Sequence, residues 1–248
     1  MGIQIIKKND QAFGSFNNGE IIENKPIGFP QDGGKTKPYS NLFYWAHASA
    51  KVGSTIGLHP HRGFEIVSYV LKGTIRHYDT KTDKWWSLDQ GDLQVIKSGN
   101  GISHSEELKS NSVIFQIWFD PNISKSLYKE AEYKDYESSS FPLDHENNLS
   151  IKTIVGKNSP ANLDTEGIHM EEIIIKENTE RSINSKNTYS IYVLEGTCMM
   201  NDIQIEQDDF IKVQELNKLS FEVEMPVKIF AITSPKTPSY KSYYNSQL

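Results

Sequence analysis

The sequence predicts an all-β protein built as two barrels, and three observations carry that expectation. Apolar runs of four to eight residues alternate with turn signals: Ile66 to Leu71, a Lys72-Gly73 turn, Thr74 to Tyr78, a polar loop over Asp79 to Lys84, then Gly91-Asp92 opening Leu93 to Ile96. Tyr192 to Thr197 repeats Tyr69 to Thr74 in five of six places at an offset of 123 residues, a spacing that belongs to a duplicated domain and not to a solenoid. At 248 residues the chain is long enough for one large domain or two of ordinary size, with ample capacity for a core.

Taken in order, Ile3 to Ile6 is a short apolar run with strand character. Residues 14–37 are rich in Gly, Asn and Pro, with Phe13, Phe16 and Phe29 as anchors, and read as an irregular layer over a core. Leu42 to Ala46 resumes a strand, and His47 in it is expected to be structural. The first barrel closes with Val113 to Phe119, a strand that Pro121 ends. Trp85-Trp86 reads as a half-buried pair at a strand start or as a wall for an aromatic ligand, and His77 is expected to bond locally. From Ser124 the composition turns polar and charged, with a short helix expected within Lys125 to Tyr133 and a solvated His145. The expected division is therefore a domain over 1–123, a linker over 124–148 and a second domain over 149–248.

Composition excludes several functions. With 26 Lys and Arg against 32 Asp and Glu the net charge is −6, and no basic run is present to neutralise phosphates, so direct nucleic-acid binding is not expected. A single Cys198 within an apolar run cannot form an intrachain disulfide and reads as a buried thiol of a reducing compartment. The opening residues carry too short an apolar stretch for a signal peptide, and no run approaches the roughly 18 apolar residues of a membrane span, so a cytoplasmic protein without a membrane partner is expected.

The chemistry is concentrated between His59 and Glu106. In an extended strand alternate side chains share a face, so His59 and His61 of HPHRGFE converge, and so do His104 and Glu106 of GISHSE. If the two segments lie side by side in a closed barrel, three imidazoles and one carboxylate meet on its axis. Imidazole with carboxylate suits iron, manganese, nickel, copper or zinc, and four protein ligands leave open positions on an octahedral ion. Glu65 lies four residues after His61 with the same parity, so periodicity alone also allows it to reach the ion.

These motifs resemble those of cupins: Gly53, His59, His61 and Glu65 followed by Gly73 look like the first motif, and Gly91 through Gly99 to His104 like the second. More narrowly, HPHRGFE with HSE, and Gln116 to Trp118 ahead of Pro121, resemble the pirin family, which includes bacterial quercetin 2,3-dioxygenases. The resemblance implies a bicupin of two jelly-roll-like barrels in which His59, His61, His104 and Glu106 hold one divalent transition metal, iron(II) first, and Glu65 does not. Glu106 would also take a proton from the substrate. The implied reaction is metal-dependent dioxygenation of a flavonol or related enolic or phenolic aromatic, with dioxygen as co-substrate and loss of carbon monoxide on ring cleavage. The same resemblance implies an alternative, a metal- or redox-responsive binding module with a protein partner, since eukaryotic pirins are described as transcriptional co-regulators.

The second half is expected to lack the metal. Carried across at the offset of 123 without gaps, His59 falls on Ser182, His61 on Asn184 and Glu65 on Thr188, and Phe221 stands twelve residues after Asp209 as His104 stands after Asp92. His169 is left without companions in sequence.

Overall fold

The computed structural model describes residues 2–146 and 148–242. In chain order its elements are β1 (Ile3–Ile6), β2 (Ala12–Phe16), β3 (Ile21–Ile27), β4 (Leu42–Ala50), β5 (Ser54–His61), β6 (Glu65–Lys72), β7 (Thr74–Asp79), β8 (Lys84–Asp89), β9 (Leu93–Lys97), β10 (Ile102–Leu108), β11 (Ser112–Phe119), α1 (Ile123–Ser126) and β12 (Glu132–Tyr136). There follow β13 (Leu143–Glu146), β14 (Leu149–Val155), β15 (His169–Ile175), β16 (Thr179–Ser182), β17 (Asn187–Glu195), β18 (Thr197–Met200), β19 (Ile203–Glu206), β20 (Phe210–Gln214), β21 (Lys218–Glu222) and β22 (Val227–Pro235). The fold is all-β, as the alternating runs predict.

The strands form two pairs of sheets with one topology. A seven-stranded sheet in the order β12-β9-β6-β11-β4-β3-β2 accompanies a four-stranded sheet β5-β10-β7-β8. In the second half, β1-β20-β17-β22-β15-β14-β13 accompanies β16-β21-β18-β19. Strand for strand the orders correspond, so the short repeat in the sequence marks a duplication of the whole barrel. The repeated turn has a physical reason. Gly73 and Gly196 both take positive φ, 74° and 89°, and a Cβ at Gly73 would lie 2.8 Å from Ser112 Oγ, so only glycine fits there.

The chain divides into two compact units along other lines than composition suggests. Of the described residues, one comprises Gln11–Ser140, Leu163–Thr165 and 238–242; the other 2–10, 141–146, 148–162 and Glu166–Thr237. Ile3–Ile6 is counted with the second unit because β1 pairs antiparallel with β20, Ile5 opposite Ile211. The polar stretch after Ser124 is largely structured: α1 is one turn, and β12 pairs with β9, Tyr133 opposite Ile96. Its charged residues sit there because an edge strand has one side to present to solvent. His145 is exposed, with Nδ1 3.0 Å from Ser150 Oγ.

The second unit has a continuous apolar core running through Ile151, Ile173, Ile191, Ile211, Phe221 and Ile229. In the first, apolar clusters around Ile21, Val70, Ile75 and Ile114 and around Ile66, Ile96 and Ile102 are accompanied by buried polar side chains.

Candidate metal centre

The site is built where β5 ends beside β10. The antiparallel register sets His59 opposite His104 and His61 opposite Ile102. Directly opposed residues share a face, so the three imidazoles line one side of the four-stranded sheet. Between His59 and Ile56 the register slips by one residue, a bulge around Gly57 and Leu58. Bulges re-aim side chains, and here the Gly57 carbonyl accepts from His59 Nδ1 at 2.8 Å. That bond puts the proton on Nδ1 and leaves the Nε2 lone pair of His59 free for a metal.

One nitrogen from each of His59, His61 and His104 lies within 4.8 Å of the others, and His61 Nε2 is 2.9 Å from His104 Nε2. Two ligands at right angles, each about 2.1 Å from a metal, stand about 3 Å apart, so this separation matches the edge of a coordination polyhedron. Burial pushes the His61 imidazole down to about 4, with His59 adding to the effect, and burial and its histidine neighbours hold His104 far below its usual range. Both rings are therefore neutral near pH 7, the form that binds metal. The residues fit a divalent transition ion.

Glu106 stands apart from this cluster of donor atoms. Its carboxylate points into the barrel, Oε1 3.3 Å from Ser68 Oγ and Oε2 accepting from Gln116 Nε2 at 3.5 Å. Burial pushes it up to about 7. Glu65 faces elsewhere. Its carboxylate accepts from the backbone N–H of Asp164 at 2.7 Å and of Thr165 at 2.9 Å, and from the Thr165 hydroxyl. It anchors the 163–165 segment, about a hundred residues away in sequence.

Two neighbours of the site are not evident from sequence. His77 pairs with Glu106 in register, so it faces the same interior. It is fully buried, its Nε2 3.2 Å from Asp79 Oδ2, its ring stacked on Tyr133 at 4.7 Å and 5.4 Å from the His104 ring. The only signal for it is its even spacing from Asp79 on a strand that β10 covers. The second neighbour is an aromatic wall: His61 lies 5.1 Å from Trp118 and 5.3 Å from Phe64, which stack on one another at 5.0 Å, and Trp118 meets Tyr44 at 4.6 Å. Trp85 and Trp86 do not form one wall. Trp86 opposes His77 and Trp85 opposes Tyr78, so the two rings lie on opposite faces of β8.

The second barrel answers these positions differently from the gapless count. Thr179 opposes Phe221 as His59 opposes His104, and Arg181 opposes Leu219 as His61 opposes Ile102. Thr179 and Arg181, not Ser182 and Asn184, are thus the counterparts of the two histidines. Seven positions separate Arg181 from Thr188 where four separate His61 from Glu65, and the longer loop absorbs the difference. Arg181 is held by Glu171 at 2.7 and 2.9 Å, and His169 Nε2 lies 2.9 Å from the same carboxylate.

Two barrels of one topology, the first carrying a histidine cluster on its inner face, define a bicupin. Residues 31–119 match the Pirin family model. That stretch resembles Pirin-1 of Arabidopsis thaliana, 41% identical over 101 residues, which covers 40% of this chain and 34% of the relative. It also resembles the quercetin 2,3-dioxygenase of Escherichia coli, 38% identical over 74 residues, covering 29% of this chain and 32% of the enzyme. The chain thus spans about a third of the length of these relatives.

Solved structures extend the likeness of fold to nearly the whole chain. A bacterial pirin from Escherichia coli in complex with nickel(II) superposes with a TM-score of 0.77 at 19% identity, covering 94% of this chain and 99% of that one. A quercetin 2,3-dioxygenase from Acinetobacter baumannii gives 0.80 at 18% identity, covering 97% and 80%. Among the described residues no helix is long and apolar enough to cross a membrane.

Proposed function

We propose that the chain is a metal-dependent dioxygenase acting on a flavonol or a related enolic or phenolic aromatic. The observation that carries this reading is the convergence of His59, His61 and His104, with ligand atoms mutually within 4.8 Å. These residues hold one divalent metal, iron(II) by preference and nickel, manganese, copper or zinc as substitutes. When bound, the ion supplies a Lewis acid that acidifies a substrate hydroxyl and offers open positions for substrate and dioxygen.

The chain's own groups do the rest. Trp118 and Phe64 beside His61 give a planar substrate an apolar face and keep water from it. Glu106, buried on the same strand as His104 and held, among the described residues, by the neutral Ser68 and Gln116, is the proposed fourth ligand and the acceptor of the substrate's hydroxyl proton. The likeness of residues 31–119 to relatives named pirin or quercetin 2,3-dioxygenase supports the dioxygenase reading.

The test is oxygen uptake by protein reloaded with each metal, against flavonols, catechols and enols. Oxygen consumption that depends on both substrate and metal is expected. One equivalent of bound metal with no oxygen consumed across that set would overturn the reading.

A further inference from the structure

Where β5 finishes and β10 begins, a shallow groove of about 440 Å³ runs over the end of the four-stranded sheet, lined by Pro60, His61, Arg62, Thr80, Gly101, Ile102 and Ser103. Its volume is in the range of small-molecule sites. Its lining is chemically one-sided. Arg62 is exposed, makes no ion pair among the described residues and has no acidic group beside it in the groove. Thr80 Oγ1 accepts from the Ser103 backbone N–H at 3.1 Å, which leaves the Thr80 hydroxyl proton to donate outward. The Ser103 hydroxyl has no bond among the described residues. A guanidinium and two hydroxyl donors thus face a space with no carboxylate of its own, in a chain whose net charge is −6.

Backbone geometry fixes this arrangement. Thr80 N–H donates to the Ser103 carbonyl at 2.9 Å, the reciprocal of the bond above, so the two hydroxyl-bearing residues are tied together at the sheet's end. Pro60 opposes Ser103 and His61 opposes Ile102. The groove therefore reaches one outward pair and one inward pair, and its inner end is the edge of His61. Pro60 and Ile102 supply apolar surface between the donors and the imidazole.

We propose that this groove binds a planar aromatic carboxylate, its carboxylate on Arg62, Thr80 and Ser103 and its ring over Pro60 and Ile102, directed at His61. A fork of guanidinium donors matches a carboxylate in two parallel hydrogen bonds, which a neutral ring cannot use. This deepens the dioxygenase reading by naming the substrate class as acidic aromatics. Which end of the ligand reacts rests on that reading; the anion contact does not.

The test begins on the full chain without metal, following backbone amide NMR shifts on titration with benzoate and, in parallel, with uncharged benzamide. Benzoate is expected to move the amides of Arg62, Thr80 and Ser103 and to bind about tenfold more tightly than benzamide, the scale of a charge-assisted bond. Arg62→Gln should bring benzoate down to the level of benzamide, while Arg62→Lys retains part of the preference. In metal-loaded protein, Arg62→Gln should raise KM for 3,4-dihydroxybenzoate about tenfold, with kcat and the KM for catechol unchanged. Equal binding of benzoate and benzamide, or unchanged benzoate binding by Arg62→Gln, would overturn the proposal. Selective benzoate binding without oxygen consumption would leave the groove standing and remove only the dioxygenase reading.

Discussion

The two barrels share a strand order and differ in what fills them. Inside the first, His61, His77, Asp79, His104 and Glu106 are all buried, and most of them bond only to one another or to neutral groups. Inside the second, Phe221 and Leu219 occupy the places of His104 and Ile102, among Ile173, Ile191 and Ile229. Arg181, at the position of His61, is neutralised by the buried Glu171. A duplicated fold does not need its polar interior for stability, because the apolar copy folds to the same topology. The polar interior of the first barrel costs desolvation, and a bound ion is what would return that cost.

The largest expected effect breaks this contrast at its centre. Wild-type protein, stripped and reloaded, should bind close to one equivalent of metal by elemental analysis. His104→Ala should weaken binding by about a hundredfold or more, since a lost ligand costs at least what a lost supporting residue does. Thr179→Ala and Phe221→Leu in the second barrel should leave the stoichiometry unchanged. Two equivalents in the wild type would remove the distinction between the barrels.

A smaller effect sharpens the comparison from the other side. Burial opposes ionisation of Glu171, but His169 and Arg181 more than offset it and hold the carboxyl down to about 2. A depressed carboxylate contributes stability that is complete above its unfolded value of 4.5 and is lost as pH falls towards 2. Arg181→Leu should therefore cost about 2 kcal/mol at pH 7 by chemical denaturation, less than a fully buried pair because the guanidinium side chain is 29% exposed. The loss should shrink as the solution is acidified below pH 4.5. Arg181→Leu with Glu171→Leu should return close to wild-type stability, because an apolar pair suits that interior. A double variant as unstable as the single would mean that the ion pair specifies the second barrel and does not merely neutralise itself.

Much of this contrast was legible in the sequence, and the failures have physical causes. Strand periodicity and the Tyr69 and Tyr192 repeats predicted two barrels, and the spacing of His59, His61 and His104 predicted their convergence. The counterparts Thr179 and Arg181 were missed because loop length is free to vary where no hydrogen bond fixes it, and a gapless offset assumes otherwise. His77 was expected to bond locally and does so, to Asp79 two residues on; its place beside the histidine cluster was not legible. Its stacking partner Tyr133 meets it only when β12 joins β9. The assignment of β1 to the second barrel was equally invisible, since Ile3–Ile6 has no feature that chooses one sheet edge over another.

The smallest effects concern the two buried glutamates, and here the structure separates what periodicity left joined. Glu65 and Glu106 are both buried, and burial raises both carboxyls, so neither exposure nor charge distinguishes them. Their partners do. Glu65 has three donors on the 163–165 segment, two of them backbone N–H groups that no other side chain satisfies in its absence. Glu65→Gln removes the charge from those bonds and should lower stability by about 1–2 kcal/mol, leaving metal binding unchanged. Among the described residues Glu106 has Ser68 and a long bond from Gln116, partners that hold a carboxylate weakly enough for an ion to compete for it. Glu106→Gln should weaken metal binding about tenfold, the scale for losing a ligand's charge or its support, while metal-free stability stays level or rises because a buried acid has been replaced by its neutral isostere. The two variants, compared by denaturation and by metal titration, should thus show crossed effects. If Glu65→Gln empties the site and Glu106→Gln leaves it filled, the bonds to Asp164 and Thr165 belong to a resting arrangement from which Glu65 turns to the ion, and the first barrel then binds metal through the carboxylate of its first motif.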